Sequence, residues 1–351
     1  MDNAYIYPIS ARGDKKINNP YLDNFMKSIQ DRFNFINKNH PSHSGIFDIV
    51  KYIFKIDFAF FHWPENIAEK KMGFFQTLVF LYIFIPCMKI RKIKIVYIVH
   101  NKLSHTQNRI RLKKLIARKL LKSSAINITH AGEGVGFIHS MVKTPKKVFF
   151  FPHPVDKPLL KNTNPKKEID ILIWGNIAPY KGIDNFLKLL KEKNAENWNV
   201  VIAGKVSSEK YMHELNALKP DNVVIIYEFL DDFTIEQLIS KSRIVLFPYH
   251  SQSVLSSGAF AKTLAFPVKI IGPHCGAFLD FNQLKQVNTF KNEEQLFDLI
   301  SNGLSEKTHN QKNIMDNTHL MNDYSWKSFG KAFLENLSKK HSNKKEEITS
   351  I

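Results

Sequence analysis

The sequence predicts an α/β protein built from two doubly wound domains that face a cleft. Short apolar runs alternate with segments of helical period, the runs fall into two series, and a polar segment separates the two series. A length of 351 residues is comfortable for two cores, at about 150 residues for each domain. Each domain is therefore expected to contain its own parallel sheet.

The apolar runs are the predicted strands. They are almost continuously hydrophobic, which is typical of parallel strands that are buried on both faces. The first series is 56–61, 93–99, 125–129 and 147–151, and the second is 169–174, 199–203, 222–227, 243–248 and 268–271. Helical periods occupy the intervals, as in 183–191, 208–218, 235–241 and 293–300. The alternation predicts two Rossmann-like domains.

Residues 152–168 are rich in Pro, Lys and Asn, and this composition predicts a linker between the domains. A last helix is predicted near 325–340, where four apolar residues have helical spacing: Trp326, Phe329, Phe333 and Leu337. The remaining residues, 341–351, form a charged tail.

The composition excludes several classes of protein and favours anionic partners. Hydrophobic residues make up 44% of the chain and charged residues 23%, which excludes collagen-like, disordered and low-complexity proteins. Lys and Arg outnumber Asp and Glu by 50 to 32, so nucleic acid, an anionic membrane or a phosphate-bearing molecule is the expected partner. The two cysteines, Cys87 and Cys275, suit neither a disulfide framework nor a zinc quartet, and the N-terminus lacks a signal-peptide pattern. A cytoplasmic location is therefore expected.

Residues 72–88 form an uncharged apolar segment with basic residues on both sides. The segment is short against the ~20 residues that a spanning helix needs, and it contains Gly73, Gln76, Thr77 and Pro86. A helix that is buried in the domain, or partly exposed from it, is favoured over a transmembrane span.

Four predicted strands of the first series each run into a histidine. The four histidines are His62, His100, His130 and His153. Ligands of open α/β sheets bind at the carboxyl ends of the strands, so the histidines predict a cleft lined by titratable groups. The alternative is that each is a structural hydrogen-bonding residue. A site where three histidines bind a metal ion is disfavoured because no metal-ligand spacing occurs. Glu65 and Glu133 lie three residues beyond two of the histidines and are candidate general bases.

Two turns of the second series are suited to phosphate. After strand 169–174, Gly175 permits a tight exit, and Lys181 precedes a helix. After strand 243–248, a helix opens with three small residues, whose backbone N–H groups could face an anion: Ser256, Ser257 and Gly258. An ordinary helix cap and a solvated lysine are the alternatives. The position of both turns at strand ends of one sheet favours a diphosphate site.

Seven short motifs follow one another in residues 90–338. They are His100-Asn101 with His105, Tyr180-Lys181-Gly182 after a Gly-x-Ile strand exit, 201–205, Phe247-Pro248-Tyr249, 257–260, 265–273 and Ser325-Trp326. In this order they resemble GT-B fold glycosyltransferases of the family-4-like bacterial polysaccharide branch. The resemblance implies transfer of a sugar from a nucleotide diphosphate to a hydroxyl group in cell-surface polysaccharide synthesis. It also implies four parts: an acceptor-side domain at 1–155, a nucleotide-sugar domain at 165–322, a crossover helix at 323–340 that packs on the first domain, and the tail.

The resemblance and the charge pattern together give the candidate site. The diphosphate is assigned to Gly175, Asn176, Lys181, Lys205, Ser256, Ser257 and Gly258, and the nucleoside to Glu228, Phe229, Leu230 and Tyr249. The acceptor side comprises His62, Asn101 and His105, and the catalytic candidates are Glu133, Glu65 and His100. The chain contains no Asp-x-Asp, so neither a metal ion nor another cofactor is expected.

Two departures from the family pattern bear on the stereochemistry. Retaining members carry a pair of glutamates eight residues apart, where this chain has Val254 and Lys262. Asn176 stands where an arginine often precedes the lysine of the glycine turn. An inverting reaction is therefore favoured over a retaining one.

A basic helix near residue 115 predicts contact with an anionic membrane. Its basic residues interleave with leucines and isoleucines and are Arg109, Arg111, Lys113, Lys114, Arg118, Lys119 and Lys122. Peripheral docking at the inner face of the cell membrane would bring the enzyme to a lipid-linked saccharide, whereas a solvated helix face is the alternative.

A GT-B sugar-nucleotide epimerase or phosphorylase is a rival function. A nucleic-acid-binding protein is another, but no helix-turn-helix, RNA-binding aromatic motif or zinc finger supports it.

Overall fold

The structure is a computed structural model that describes residues 1–9, 20–40, 42, 44–102, 108–160, 165–252, 254–305 and 318–339. Within these residues it contains two six-stranded parallel sheets, one in each half of the chain. The predicted fold class, two Rossmann-like domains facing one another, is confirmed.

The N-terminal sheet has the order β2-β1-β3-β4-β5-β6. Its strands are β1 (Asp2–Tyr7), β2 (Phe33–Phe35), β3 (Phe58–His62), β4 (Lys94–Val99), β5 (Ile126–Thr129) and β6 (Val148–Phe150). Its helices are α1 (Pro20–Ser28), α2 (Gly73–Val79), α3 (Ile85–Ile90), α4 (Ile110–Ser123) and α5 (Gly132–Met141), with short 3₁₀ helices at Gly45–Lys51 and Pro64–Glu69. A π-helical turn, Phe80–Phe84, joins α2 to α3 in one continuous helix.

The C-terminal sheet has the order β12-β11-β10-β7-β8-β9. Its strands are β7 (Ile169–Trp174), β8 (Val200–Ala203), β9 (Val223–Ile226), β10 (Ser242–Leu246), β11 (Lys269–Pro273) and β12 (Val287–Phe290). Its helices are α6 (Ile183–Glu192), α7 (Glu209–Leu218), α8 (Asp232–Lys241), α9 (Gly258–Leu264), α10 (Ala277–Asp280) and α11 (Glu293–Ser305). The strand order reverses between β7 and β10, and the crevice at such a reversal is where doubly wound sheets bind ligands.

Strands β1, β2 and β12 are absent from the sequence-based prediction. Strand β2 has only three residues, and β12 carries the polar residues Asn288 and Thr289 at a sheet edge, so neither presents a long apolar run. The predicted strand 169–174 agrees with β7 at both ends, because its buried side chains are all apolar and its one polar residue, Asp170, is half-buried.

The last helix returns to the N-terminal domain, as predicted. After α12 (Thr318–Asp323), helix α13 (Trp326–Ser338) is capped at its N-terminus by Ser325, whose hydroxyl accepts the N–H of Ser328. Phe329 and Phe333 are fully buried in the N-terminal core, beside Phe25 and Phe60. A Cβ at Gly330 would lie 1.9 Å from the carbonyl oxygen of Ser28, so only glycine permits this approach of α13 to α1.

Candidate functional site

Lys181 lies beneath the turn that follows β7. Gly175, the first residue after β7, has a φ of +98°, and a Cβ there would lie 3.0 Å from the Lys181 Nζ. Glycine therefore supplies both the left-handed backbone conformation and the space above the ammonium group. The side chain of Lys181 is folded back from a 3₁₀ turn (Pro179–Lys181), and the residue is only 5% exposed.

The buried ammonium group is held by neutral groups. Its Nζ donates to the Tyr249 hydroxyl at 3.0 Å and lies 4.8 Å above the ring of the same tyrosine. Among the described residues no carboxylate forms an ion pair with it. Burial lowers the pKa of Lys181. A buried cation without a counter-charge is costly, so this position is electrostatically suited to an anion.

The contacts continue from Tyr249 to the start of α9. The Tyr249 hydroxyl is 3.3 Å from the Ser257 Oγ, and that Oγ accepts the N–H of Phe260 at 3.3 Å. The first N–H groups of a helix have no partner within the helix. The structure thus brings Gly175, Lys181, Ser257 and the exposed Gly258 into one crevice at the reversal point of the sheet.

The remaining residues assigned to the diphosphate border this crevice. Asn176 is exposed on the same turn, and Ser256 is half-buried before α9. The carbonyl of Lys205 accepts the N–H of Ile177 at 2.8 Å, and this bond attaches the end of β8 to the turn that begins at Gly175. The side chain of Lys205 is exposed. A Cβ at Gly204 would lie 1.9 Å from the Gly175 carbonyl oxygen, so this junction also requires glycine.

The residues assigned to the nucleoside are divided. Glu228 and Phe229 are exposed and Leu230 is half-buried, all in the loop after the edge strand β9. Tyr249 lies apart from them, because its hydroxyl contacts Lys181 and Ser257. Tyr249 therefore lies beside two of the residues that the sequence analysis assigned to the diphosphate, and not beside the other residues assigned to the nucleoside.

The four strand-end histidines meet in an aromatic cluster, with Tyr21 at its centre. The Tyr21 ring centroid is 4.9–5.6 Å from the imidazole centroids of His62, His100, His130 and His153. Trp63 stacks on His100 at 4.0 Å, and Trp326 of α13 closes the cluster 5.1 Å from Tyr21. The sequence therefore predicted the meeting of the histidines but not Tyr21, whose position in α1 gives no signal of this contact.

The sequence predicted that the histidines line the cleft, and the structure separates them. Three of them are buried, whereas His153 is half-buried and its Nε2 lies 3.7 Å from the position of a Cβ at Gly258, at the edge of the crevice. His62 and His130 are fully buried and His100 is 7% exposed. Burial lowers the pKa of all four imidazoles, to about 3 for His130 and about 4 for His153. The His130 Nδ1–H donates to the Phe151 carbonyl, so its Nε2 accepts from the Tyr21 hydroxyl at 2.6 Å. The neutral imidazoles of His62, His100 and His130 thus belong to the interior of the N-terminal domain.

Glu133 joins the two domains. Its Oε1 pairs with the Lys102 ammonium at 2.5 Å, and its Oε2 accepts the Gly276 N–H of the C-terminal domain at 2.6 Å. In return, Asp280 of the C-terminal domain accepts the Gly132 N–H at 2.9 Å. Each domain thus offers one carboxylate to a backbone N–H of the other. Both oxygens of Glu133 are engaged in these contacts.

Glu65 borders a small cavity in the N-terminal domain. Its Oε2 is buried and has no hydrogen-bond partner among the described residues, and burial raises the pKa of Glu65 to about 7. The Tyr97 hydroxyl contacts the same carboxyl group. The cavity, of about 40 Å³, is lined by Glu65, Tyr97, Asn101, Lys102, Lys113 and Lys114 together with apolar side chains. Asn101 pairs with Val254 of the C-terminal domain, so the cavity lies close to the domain boundary.

The two positions of the missing glutamate pair have structural contacts. Val254 is buried at the Asn101 bridge, and Lys262 on α9 pairs with Glu236 at 2.9 Å and with Asp232 at 3.2 Å.

His105, assigned to the acceptor side, lies outside the described residues, as does the tail. In the part of the chain that the structure describes, no group of three or more His, Cys, Asp or Glu side chains is placed to hold a metal ion.

Comparison with known proteins agrees with this geometry. Residues 157–262, which contain the Lys181 crevice, match the family model of glycosyl transferases group 1. No curated protein sequence matches the chain.

The chain is similar in structure to several solved glycosyltransferases. HepE of Anabaena, in complex with UDP and glucose, has a TM-score of 0.69 at 12% identity, over 96% of this chain and 100% of HepE. Sucrose-phosphate synthase of Thermosynechococcus elongatus has a TM-score of 0.69 at 11% identity, over 96% of this chain and 98% of the synthase. The α,α-trehalose-phosphate synthase (UDP-forming) of Burkholderia vietnamiensis has a TM-score of 0.61 at 8% identity, over 96% and 97%. The chain therefore has the GT-B fold, and the resemblance to GT-B glycosyltransferases that its motifs predicted is confirmed.

Proposed function

We propose that this protein is a glycosyltransferase that transfers a sugar from a UDP-sugar to a hydroxyl group of a lipid-linked saccharide, without a metal ion. The observation that carries the proposal is the buried Lys181 ammonium, 3.0 Å from Tyr249 and without an ion-pair partner among the described carboxylates. A diphosphate beside it would supply the absent counter-charge.

The position of Lys181 suits departure of the nucleotide. As the glycosidic bond breaks, negative charge develops on the β-phosphate oxygen. A cation that is already oriented in a water-poor site stabilises this charge without reorganisation. The N-terminal N–H groups of α9 and the exposed Lys205 would share the phosphate charge, so a second cationic partner such as a metal ion is not required.

Two structural relatives support a uridine nucleotide. HepE was solved with UDP-glucose, and the trehalose-phosphate synthase is described as UDP-forming. In this chain the loop of Glu228, Phe229 and Leu230 lies at the C-terminal edge of the same sheet as Gly175. We assign the uracil to this loop, where backbone groups can read its edge.

The acceptor hydroxyl needs a base if the reaction inverts the anomeric centre. Glu65 fits this role best among the three candidates, because its Oε2 is free and its carboxyl pKa is raised to about 7. Glu133 is bound at both oxygens, and the buried His100 contacts His62 and Trp63. We therefore place the acceptor beside Glu65 and the Asn101 loop, and we favour inversion.

The biological setting is also a proposal. A net charge of +18 suits an anionic surface, and the motif resemblance is to bacterial enzymes of cell-surface polysaccharide synthesis. We place the enzyme at the inner face of the cell membrane, as a peripheral protein.

Binding and turnover measurements test the proposed function. Calorimetric titration with UDP and with GDP should show preference for UDP, and Lys181→Met should weaken UDP binding at least tenfold. Lys188→Met is the matched control, because Lys188 lies exposed on α6. UDP release from a UDP-sugar should need an acceptor and should persist in EDTA. Unchanged UDP affinity in Lys181→Met would refute the assignment of the crevice, and turnover without an acceptor would favour an epimerase.

A further inference from the structure

The helix Gly73–Ile90 is apolar on both of its faces. Its inward side chains are buried in the N-terminal core and include Phe80, Leu81, Phe84, Ile85 and Met88. Its outward side chains are exposed by 51–81% and include Phe74, Phe75, Tyr82, Ile83 and Ile90. A soluble helix normally carries polar residues on its outward face. The exposed face therefore calls for a partner.

The outward residues form one stripe along the helix. Exposed or half-exposed residues recur at 74–75, 78–79, 82–83, 86–87 and 89–90, about four residues apart, and all except Lys89 are apolar. At 1.5 Å per residue the 18 residues extend over about 27 Å. We call this surface the outward stripe. The neighbouring Val50 and Phe54, 53% and 69% exposed, widen it.

The outward stripe has a basic border. Exposed cations precede it, follow it and flank it, and they are Lys51, Lys55, Lys70, Lys71, Lys89, Arg91 and Lys92. The Arg91 guanidinium lies 4.6 Å above the Phe54 ring, so charge and apolar surface are in direct contact. The sequence of Gly73–Ile90 contains no Asp or Glu. An apolar surface with this border is complementary to an anionic lipid bilayer.

Helix α4 contributes charge to this region but little apolar surface. The sequence predicted α4 as an amphipathic membrane helix, whereas Ile116, Leu120 and Leu121 are fully buried in the core. Its exposed cations are Arg111, Lys114, Arg118 and Lys122. Much of the apolar side of α4 is therefore unavailable to a membrane, and contact of its exposed cations with anionic lipid stays a prediction.

The inward packing distinguishes surface binding from spanning. Gly73–Ile90 is the one helix of the described residues that is long and apolar enough to cross a membrane, and 44% of it is buried. To span the bilayer it would have to leave the core and expose the cavity left by Phe80, Phe84 and Met88. In place, the helix can offer only its outward stripe.

We propose that the outward stripe inserts into the interfacial region of an anionic membrane, with the basic border against the lipid headgroups. The inference rests on the proposed function for its purpose, because a lipid-linked acceptor is presented at such a surface. The aromatic and aliphatic side chains supply burial, and the cations supply salt-dependent attraction.

Vesicle binding tests the proposal. The full chain should co-sediment with vesicles of phosphatidylcholine and phosphatidylglycerol at low salt, and far less with phosphatidylcholine alone or at high salt. The double variant Phe75→Ser/Ile83→Ser should bind about tenfold more weakly. Val224→Ser/Phe233→Ser is the matched control, because it removes two exposed apolar residues from the C-terminal domain and should bind as the wild type does.

A second measurement reports on the stripe directly. Cys87 lies half-exposed in the stripe, whereas Cys275 is buried, so an environment-sensitive thiol dye should label Cys87. Its emission should shift to the blue when anionic vesicles are added. Unchanged emission, or equal vesicle binding by Phe75→Ser/Ile83→Ser, would overturn the proposal.

Two further outcomes separate this proposal from its neighbours. If the wild type is a dimer in light scattering and Phe75→Ser/Ile83→Ser makes it monomeric, the stripe covers a second copy of the chain and the membrane proposal is wrong. UDP titration of the same variant should match the wild type. If the wild type does not bind UDP, the proposed glycosyltransferase function is wrong. Vesicle binding by the same protein would still support the proposal for the outward stripe.

Discussion

Lys181 and Tyr249, 68 residues apart in the chain, are joined by a hydrogen bond of 3.0 Å inside the C-terminal domain. Lys181 follows β7 and Tyr249 follows β10, and these adjacent strands pair through Leu172 and Val245. The bond orients the ammonium group at the point where the strand order reverses. It makes the tyrosine a positioning residue for the cation.

Removing the Tyr249 hydroxyl should therefore weaken catalysis without unfolding the domain. Tyr249→Phe keeps the ring beneath the ammonium and loses the bonds to Lys181 and Ser257. We expect kcat to fall about tenfold, measured as UDP release. Tyr227→Phe is the control, because it removes a hydroxyl that binds Asn216 away from the crevice. Equal kcat in the two variants would show that Lys181 does not depend on Tyr249.

Gly182, which follows Lys181, gives a prediction for stability. Gly182 has a φ of +64°, and a Cβ there would lie 2.2 Å from the Pro248 carbonyl oxygen. Gly182→Ala should lower the free energy of unfolding by about 3 kcal/mol. Gly136, inside α5, meets nothing within 4 Å, so Gly136→Ala should raise it, by up to about 1 kcal/mol. Urea denaturation measures the free energy of unfolding of both variants. A loss in Gly182→Ala well below about 3 kcal/mol would contradict the close approach of Gly182 to Pro248.

The histidine cluster predicts a loss of stability in acid. The pKa of His130 is about 3 and that of His153 about 4 in the folded protein, below the usual value of 6.5. The unfolded chain therefore binds more protons below pH 6.5, and the free energy of unfolding should fall as the pH is lowered from there towards 4. Each such histidine contributes about 1.4 kcal/mol per pH unit.

The histidine prediction is tested by urea denaturation at several pH values. His130→Gln should make the decline with pH shallower by about one histidine's contribution. His139→Gln, at an exposed position of α5, is the matched control for loss of an imidazole. A decline that is as steep in His130→Gln as in the wild type would show that the His130 imidazole is open to solvent.

Glu65 predicts the pH dependence of the reaction. A general base must be ionised, so kcat/KM should rise with pH through about 7, where the raised pKa of Glu65 lies. Glu65→Gln should remove this limb and lower kcat/KM about 100-fold. Glu133→Gln, which disturbs the contacts to Lys102 and Gly276, should retain the limb. Retention of the limb in Glu65→Gln would transfer the role of base to another group.

Much of this architecture was readable from the sequence, because buried parallel strands are continuous apolar runs. The crevice was readable in part, since Gly175, Lys181 and Ser257 each stand at a strand exit or a helix start. The contacts of Tyr21 and Tyr249 were not, because they depend on how α1 and β10 pack against distant strands. For the same reason the burial of His62, His100 and His130 could not be predicted. Strand ends indicate an edge of a sheet, and they do not say what covers that edge.

Helix α13 has a consequence for how the chain is made. Phe329 and Phe333 complete the N-terminal core, and Gly330 touches α1. During synthesis the first domain emerges from the ribosome without these side chains, and its aromatic surface at α1 stays uncovered until the second domain has been translated. The nascent protein therefore closes its first core last, and a product truncated before Trp326 would expose Phe25 and Phe60 to aggregation.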